Sequence, residues 1–223
     1  MELADRYDVF IFDFDGTLAD TLPVYFDCFR TIFTRFNLEK ADETEIESWF
    51  GPNEIKLITK KFGSHEKIDQ IIETFLENYR IQHSRYVQKN TEIQNYLLYL
   101  RKKKKKLAIY TGKGRDTFDY STRALHMENL FDYVVTGDDV DYPKPNPEGI
   151  LKVLAEFKVM PSNAIYFGDS DGDILTADQA RIDCAVVKWF CQNKHFSLKP
   201  TYVVETFSQL YEKLNNLFDK EIP

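Results

Sequence analysis

The sequence predicts an α/β fold: a doubly wound parallel sheet interrupted by an all-helical insertion. Three observations carry this. Short apolar runs recur along the 223-residue chain without the polar alternation of a half-exposed strand. Amphipathic stretches separate most of them, the rhythm of parallel strands joined by helices. Between about Leu22 and Val87 the strand-like runs stop while helical periodicity continues.

The first run is "VFIF" (9–12), followed at once by Asp13, Asp15 and Gly16. The insertion comes next. Ile68, Ile71, Ile72, Phe75, Leu76 and Tyr79 keep helix spacing, and Pro52 and Gly63 punctuate its segments. Residues 21–87 are therefore assigned to a helical domain, and 1–20 with 88–223 to the α/β core. In the core, predicted helices 91–105, 115–128, 147–158, 173–181 and 206–218 alternate with strands "LAIY" (107–110), "YVVT" (133–136), "AIYF" (164–167), "CAVV" (184–187) and "YVV" (202–204). The basic run "RKKKKK" (101–106) is read as the cationic end of a helix rather than as a targeting or phosphate-attracting segment.

Composition narrows the function classes. With 18 Phe and 13 Tyr the chain has material for a large core. A formal charge of −7 argues against a general nucleic-acid or membrane-surface binder, since both need a positive field. No window approaches the ~18 apolar residues of a membrane span. The start "MELADRYD" has neither the basic nor the apolar part of a signal peptide, so a cytoplasmic protein is expected, as monomer or homodimer. Cys28, Cys184 and Cys191 form no CxxC and are expected to be buried thiols.

In a parallel sheet, ligands bind beyond the carboxyl ends of the strands. Asp13 and Asp15 follow the first run; Thr111 and Gly112 follow "LAIY"; Asp169, Ser170, Asp171 and Asp173 follow "AIYF"; Lys144 precedes the helix that leads there. Clustered carboxylates repel unless a cation sits among them, and hard oxygen ligands suit Mg²⁺. Lys144 adds fixed positive charge, Thr111 a hydroxyl, and the amides of Gly112 and Lys113 a small anion nest. This equipment fits a phosphoryl group. In a regular strand Asp13 and Asp15 would face one side, about 6–7 Å apart, flanking a phosphorus. Competing motifs fail on spacing. "DSDGD" lacks the glutamate of a calcium loop, having Ala180 at its twelfth position. "GKG" (112–114) is neither a Walker loop nor GxGxxG. His65, His83, His126 and His195 make no HExxH pair.

Taken together, "DFDGTLAD", "YTGK", "KPNPEG" and "GDSDGD", in that order and at those strand ends, resemble the four motifs of the haloacid dehalogenase superfamily. The helical insertion resembles the cap of its branch containing phosphoglycolate phosphatase, β-phosphoglucomutase and pyrophosphatase. The resemblance implies a Rossmann-like core and roles for the residues. Asp13 would be the nucleophile, forming an aspartyl-phosphate. Asp15 would be the acid for the leaving group and then the base for water. Mg²⁺ would be held by Asp13, the backbone carbonyl of Asp15, and Asp169, with Asp173 outside them. Thr111 and Lys144 would hold the phosphoryl oxygens. Dehalogenases of the superfamily lack the second aspartate, so phosphoryl transfer is favoured. "ADQARIDC" departs from the family pattern, with Arg181 where relatives usually carry glycine.

The expected activity is an Mg²⁺-dependent phosphatase for a small phosphorylated metabolite, phosphoglycolate- or sugar-phosphate-like. A phosphosugar mutase and a pyrophosphatase share the same machinery. Outside enzymes, a phospho-acceptor signalling module also uses Asp, Thr and Lys with Mg²⁺, but the DxD spacing, the fourth motif and the insertion count against it. Specificity is assigned to "WFGPNEIK" (49–56), whose turn would present Asn53 and Lys56 to the core site. Hinges are expected near 17–21 and 87–91.

Overall fold

The structure, a computed structural model, describes residues 3–211. A short helix, α1 (Leu3–Arg6), leads into β1 (Val9–Phe12). Helices α2 (Leu22–Arg35), α3 (Glu43–Glu47), α4 (Glu54–Phe62) and α5 (Ile68–Tyr86) form the insertion. The alternating part runs α6 (Thr91–Lys102), β2 (Lys106–Tyr110), α7 (Arg115–Ala124), β3 (Tyr133–Val135), α8 (Glu148–Phe157), β4 (Ala164–Gly168), α9 (Asp171–Ala180), β5 (Asp183–Val187) and β6 (Tyr202–Val204). Each predicted strand is present to within one residue at either end. Two helices stop short of their predicted carboxyl ends because Lys104 and His126 enter the left-handed region, at φ 60° and 57°. Of the predicted helix 206–218, Phe207–Tyr211 is a 3₁₀ segment and the rest lies outside the described residues.

The described strands form one six-stranded sheet of order β3-β2-β1-β4-β5-β6, parallel throughout. Its continuous apolar runs are explained by two covered faces. Phe10, Phe12, Ile109 and Phe167 belong to one core, and Val9, Ile11, Tyr110 and Tyr166 to another. On the first face Phe167 stacks on Phe12 and Phe10, with ring centroids 5.0 and 6.1 Å apart. Burying one such ring contributes about 1.5–3 kcal/mol. The chain leaves β1 in opposite directions, to β2 and to β4. That reversal opens a crevice at the carboxyl end of β1 and β4, where Asp13 and Asp169 emerge.

The insertion builds its interior from aromatic residues. Phe29 meets Phe75 and Trp49 edge-on, at 5.0 and 5.6 Å between centroids. It joins the core through α5 and α7. Tyr79 and Ser121 share a hydroxyl hydrogen bond of 2.8 Å, and the Tyr120 hydroxyl donates to the Arg80 carbonyl at 2.8 Å. The insertion and the first face of the sheet thus share a continuous apolar cluster.

The basic run sits at the amino edge of the sheet, opposite the crevice. Lys103, Lys105 and Lys106 pair with Asp5, Asp8 and Asp132 at 3.7, 3.3 and 3.3 Å. Cys28 and Cys184 are buried as expected, but Cys191 is exposed, in the loop after β5. No described helix is long and apolar enough to cross a membrane.

Two predictions follow from backbone strain and burial. Arg181 ends α9 in the left-handed region at φ 58°, where a Cβ is strained. Arg181→Gly is expected to raise stability by about 0.5–1 kcal/mol net of glycine's greater unfolded entropy. Urea midpoints at unchanged slope check this, and an unchanged midpoint refutes it. His83 is buried between Tyr79 and Tyr120, and neither ring nitrogen has a hydrogen-bond partner. Burial, reinforced by the Lys113 charge, lowers its pKa to about 4. The unfolded chain therefore takes up a proton near pH 6.5 that the folded chain refuses, and stability falls between pH 6.5 and 4. His83→Leu should flatten that limb in thermal melts across the window.

Candidate active site

The loop after β1 places the first acids. Asp13 continues the pairing, donating its amide to the Phe167 carbonyl at 2.8 Å. The chain then turns sharply, with the amides of Leu18 and Ala19 both donating to the Phe14 carbonyl. Gly16 adopts φ +77°, and a Cβ there would lie 2.5 Å from Asp169 Oδ2. Glycine is required both for the turn and for the approach of Asp169. β1 ends at Phe12, so Asp13 and Asp15 do not lie in a regular strand, but both line the same cavity. Asp15 lies in the loop, where its Oδ1 accepts from Thr21 Oγ1 at 2.5 Å and Lys113 Nζ at 3.1 Å.

Lys144 holds the acids together. Its Nζ lies 2.8 Å from Asp13 Oδ1 and 2.8 Å from Asp173 Oδ1, between the rings of Tyr110 and Tyr166. Asp173 is saturated: Oδ1 also accepts from the Tyr166 hydroxyl, and Oδ2 from Ser170 Oγ and the amides of Asp169 and Ser170. Ser170 and Asp173 form a capping box at the start of α9, so one residue caps the helix and braces the lysine.

The electrostatics divide these carboxylates. Burial, opposed by the Lys144 charge and reinforced by Asp173 and Asp169, pushes Asp13 up to about 7. Burial likewise raises Asp169 to about 6, against the charge of Lys194, whose Nζ lies 2.6 Å from Oδ2. Asp173 goes the other way: burial is outweighed by Lys144 and by the hydrogen bonds from Ser170 and Tyr166. Burial would lower Lys144, but Asp13 and Asp173 raise it, so it stays charged. Asp13, Asp169 and Asp173 offer oxygens within 4.8 Å of one another. Hard oxygen donors, two of them short of positive charge, fit a small divalent cation such as Mg²⁺.

Thr111 is buried just beyond β2, and its Oγ1 accepts the Lys113 amide at 3.2 Å. That amide is therefore engaged by the threonine rather than free for a nest. Gly112 meets the insertion: a Cβ on it would lie 2.6 Å from the Gly51 carbonyl oxygen. Asp13, Asp15, Thr111, Gly112, Lys144, Asp169 and Asp173 all line one cavity of about 440 Å³, between the sheet edge and the insertion.

Asn53 and Lys56 are not among its lining residues. Asn53 caps α4 and donates to Asp138 Oδ1 at 2.6 Å, and Lys56 Nζ donates to the carbonyls of Gly137 and Val140 at 3.0 and 3.2 Å. Both do reach the core domain, but they tie the turn to the loop after β3. The cap of α4 fixes Asn53, and unpaired carbonyls draw the lysine away from the cavity.

Three residues absent from the sequence-based set matter here. Lys113 Nζ, fully buried, donates to the Tyr25 hydroxyl at 2.7 Å as well as to Asp15, and lies 3.8 Å from Glu54 Oε1. It sits 4.4 Å from the ring centroids of Tyr25 and Tyr79. Glu54 accepts from the Tyr25 and Thr117 hydroxyls and from the Gly114 amide. An acid–base candidate and three helices of the insertion thus meet on one ammonium. The signal for Lys113 was its place two residues after Thr111; for Lys194 there was none, since its loop has no periodicity.

Comparison with known proteins places the chain in context. The model of the haloacid dehalogenase-like hydrolase family matches residues 10–187. Pyrophosphatase PpaX from Bacillus cereus (strain G9842) is 26% identical over 214 residues, 95% of this chain and 98% of that protein. A structure described as a predicted phosphoglycolate phosphatase from Haemophilus somnus 129pt superposes with a TM-score of 0.80 at 19% identity, over 92% of this chain and 96% of that one. CbbY from Rhodobacter sphaeroides, in complex with phosphate, gives 0.77 at 21% identity, over 92% and 96%. At these identities the two structures speak to the fold alone.

Removing one member of a buried charge network leaves its partners uncompensated, at a cost of about 3–5 kcal/mol. Lys113→Met is expected to destabilise by that amount in urea unfolding. Adding Glu54→Leu should restore part of the loss. A Lys113→Met variant within about 1 kcal/mol of wild type would show that the network is not stabilising as a unit.

Proposed function

The chain belongs to the family of haloacid dehalogenase-like hydrolases, and from that premise we propose that it is an Mg²⁺-dependent phosphatase acting on a small phosphomonoester through an aspartyl-phosphate. The observation that carries this reading is the group Asp13, Asp169 and Asp173 around Lys144, with Asp13 and Asp169 raised by burial and so short of one cation. Residues 21–87 would serve as a cap over the core of 1–20 and 88–223.

In this reading Lys144, fixed by two carboxylates, and the Thr111 hydroxyl, whose oxygen already accepts one amide, donate to the phosphoryl oxygens. Asp13 attacks phosphorus, and the ester P–O bond breaks. The leaving oxygen takes its proton from Asp15. Water then gives a proton to Asp15 and attacks the phosphorus on Asp13, releasing phosphate and restoring both acids. Mg²⁺, held by Asp13, Asp169 and the carbonyl of Asp15, supplies when bound the positive charge that offsets repulsion between carboxylate and phosphate. Asp173 keeps Lys144 in place. A second reading, pyrophosphate hydrolysis, takes its support from the name of the Bacillus relative.

Phosphate release from an aryl phosphate should require Mg²⁺ and stop with chelator. Asp13→Asn should lose at least about 10³-fold in kcat. Lys144→Ala should lose about 10²–10³-fold, as expected for removal of one electrostatic stabiliser. An Asp13→Asn variant with full activity would sink the nucleophile assignment.

A further inference from the structure

The cavity has a charged floor and an apolar roof. The core supplies the floor, with Asp13, Asp169 and Lys144. The cap supplies the roof, with Leu22, Tyr25, Phe29, Phe50 and Leu57. Phe50 keeps 36% of its surface exposed while lining this space, and its ring packs 5.7 Å from that of Tyr25. An aromatic residue left uncovered inside a binding cavity is matched by apolar surface on a ligand.

The charges that the cap brings to the cavity are Glu47 and Glu54, both negative. No lysine, arginine or histidine of residues 21–87 lines it. Lys56 is held outside, on the carbonyls of Gly137 and Val140. From the core come Lys113, Lys144, Lys194 and His195; Lys113 is engaged by Asp15 and Tyr25, Lys144 by Asp13 and Asp173, and Lys194 by Asp169. A second phosphate or carboxylate placed under the cap would therefore meet ring carbons and the carboxylates of Glu47 and Glu54, with no cap cation to replace the water it loses. The volume of about 440 Å³ also lies in the range of sites for organic ligands.

Resting on the phosphatase reading, we propose that the substrate is a phosphomonoester whose leaving alcohol carries an apolar surface of aromatic size and no second anionic group. This class excludes pyrophosphate, phosphoglycolate and sugar bisphosphates. It makes Phe50 and Glu47 specificity-determining: the ring favours the apolar alcohol, and the glutamate at the mouth disfavours anions.

The test compares kcat/KM of the full chain with Mg²⁺ on 2-phenylethyl phosphate, 2-phosphoglycolate and inorganic pyrophosphate. The first two are both alkyl esters, so binding of the alcohol dominates the comparison. At least a tenfold preference for phenylethyl phosphate is expected. Phe50→Ala should lower the phenylethyl-to-phosphoglycolate ratio about tenfold, and Glu47→Lys should lower it by raising the phosphoglycolate arm. Equal rates, a preference for either anion, or a ratio unmoved by both variants overturns the inference while Mg²⁺-dependent hydrolysis leaves the phosphatase standing. If neither these compounds nor an aryl phosphate releases phosphate with Mg²⁺, the phosphatase reading itself fails, and this inference with it.

Discussion

The bridge from Lys144 to Asp13 and Asp173 is the interaction on which the site depends. Three buried carboxylates at one sheet edge repel one another, and burial compounds the repulsion. Lys144 offsets part of it, and it is held there by Asp173, which also receives hydrogen bonds from Ser170 and the Asp169 amide at the start of α9 and from Tyr166. The remaining excess falls on Asp13 and Asp169, the two acids left unsaturated. Structure and reactivity are thus separated by hydrogen bonding rather than by residue type: identical aspartates become a brace or a reactive ligand according to how many donors each receives.

A similar economy links the two domains. Lys113, from the loop before α7, and Glu54, from the insertion, are satisfied by each other and by neighbours on both sides of the boundary between them. Tyr25, Tyr79 and Thr117 complete their hydrogen bonds and ring contacts. Asp15, through Lys113, is joined to this network rather than to the Lys144 group. Under the proposed function the acid–base candidate would take its position from contacts with the insertion, and the nucleophile candidate from the sheet.

Much of this was legible in the sequence, for physical reasons. Strands buried on both faces leave continuous apolar runs, so "VFIF" and "AIYF" mark the centre of the sheet, and the residues that follow them mark its carboxyl edge. Asp13, Thr111 and Asp169 were found in this way, and Lys144 from its place before the helix that leads to "AIYF". Periodicity cannot tell where a strand stops: this one stops at Phe12, so Asp15 reaches the cavity from a loop rather than from a regular strand. Asn53 and Lys56 were assigned to the core site but lie outside its cavity, because side-chain direction depends on partners remote in sequence, Asp138, Gly137 and Val140. Lys194 lies in a loop whose course only tertiary packing decides. Arg181, where relatives usually carry glycine, ends α9 in the left-handed region that glycine would adopt more readily.

The meeting of Gly112 with Gly51 bears on what the cavity admits. Neither side of that seam carries a side chain, so cap and core touch backbone to backbone. Such a seam fits flush whatever rotamers its neighbours adopt. On the proposed mechanism, a phosphoryl group on Asp13 would have for company only the molecules enclosed behind it. Whether it passes to water or to a sugar-like hydroxyl becomes a matter of leak rate against dwell time. Hydrolase and transferase behaviour on this scaffold would differ by the tightness of a joint, with every reacting residue unchanged.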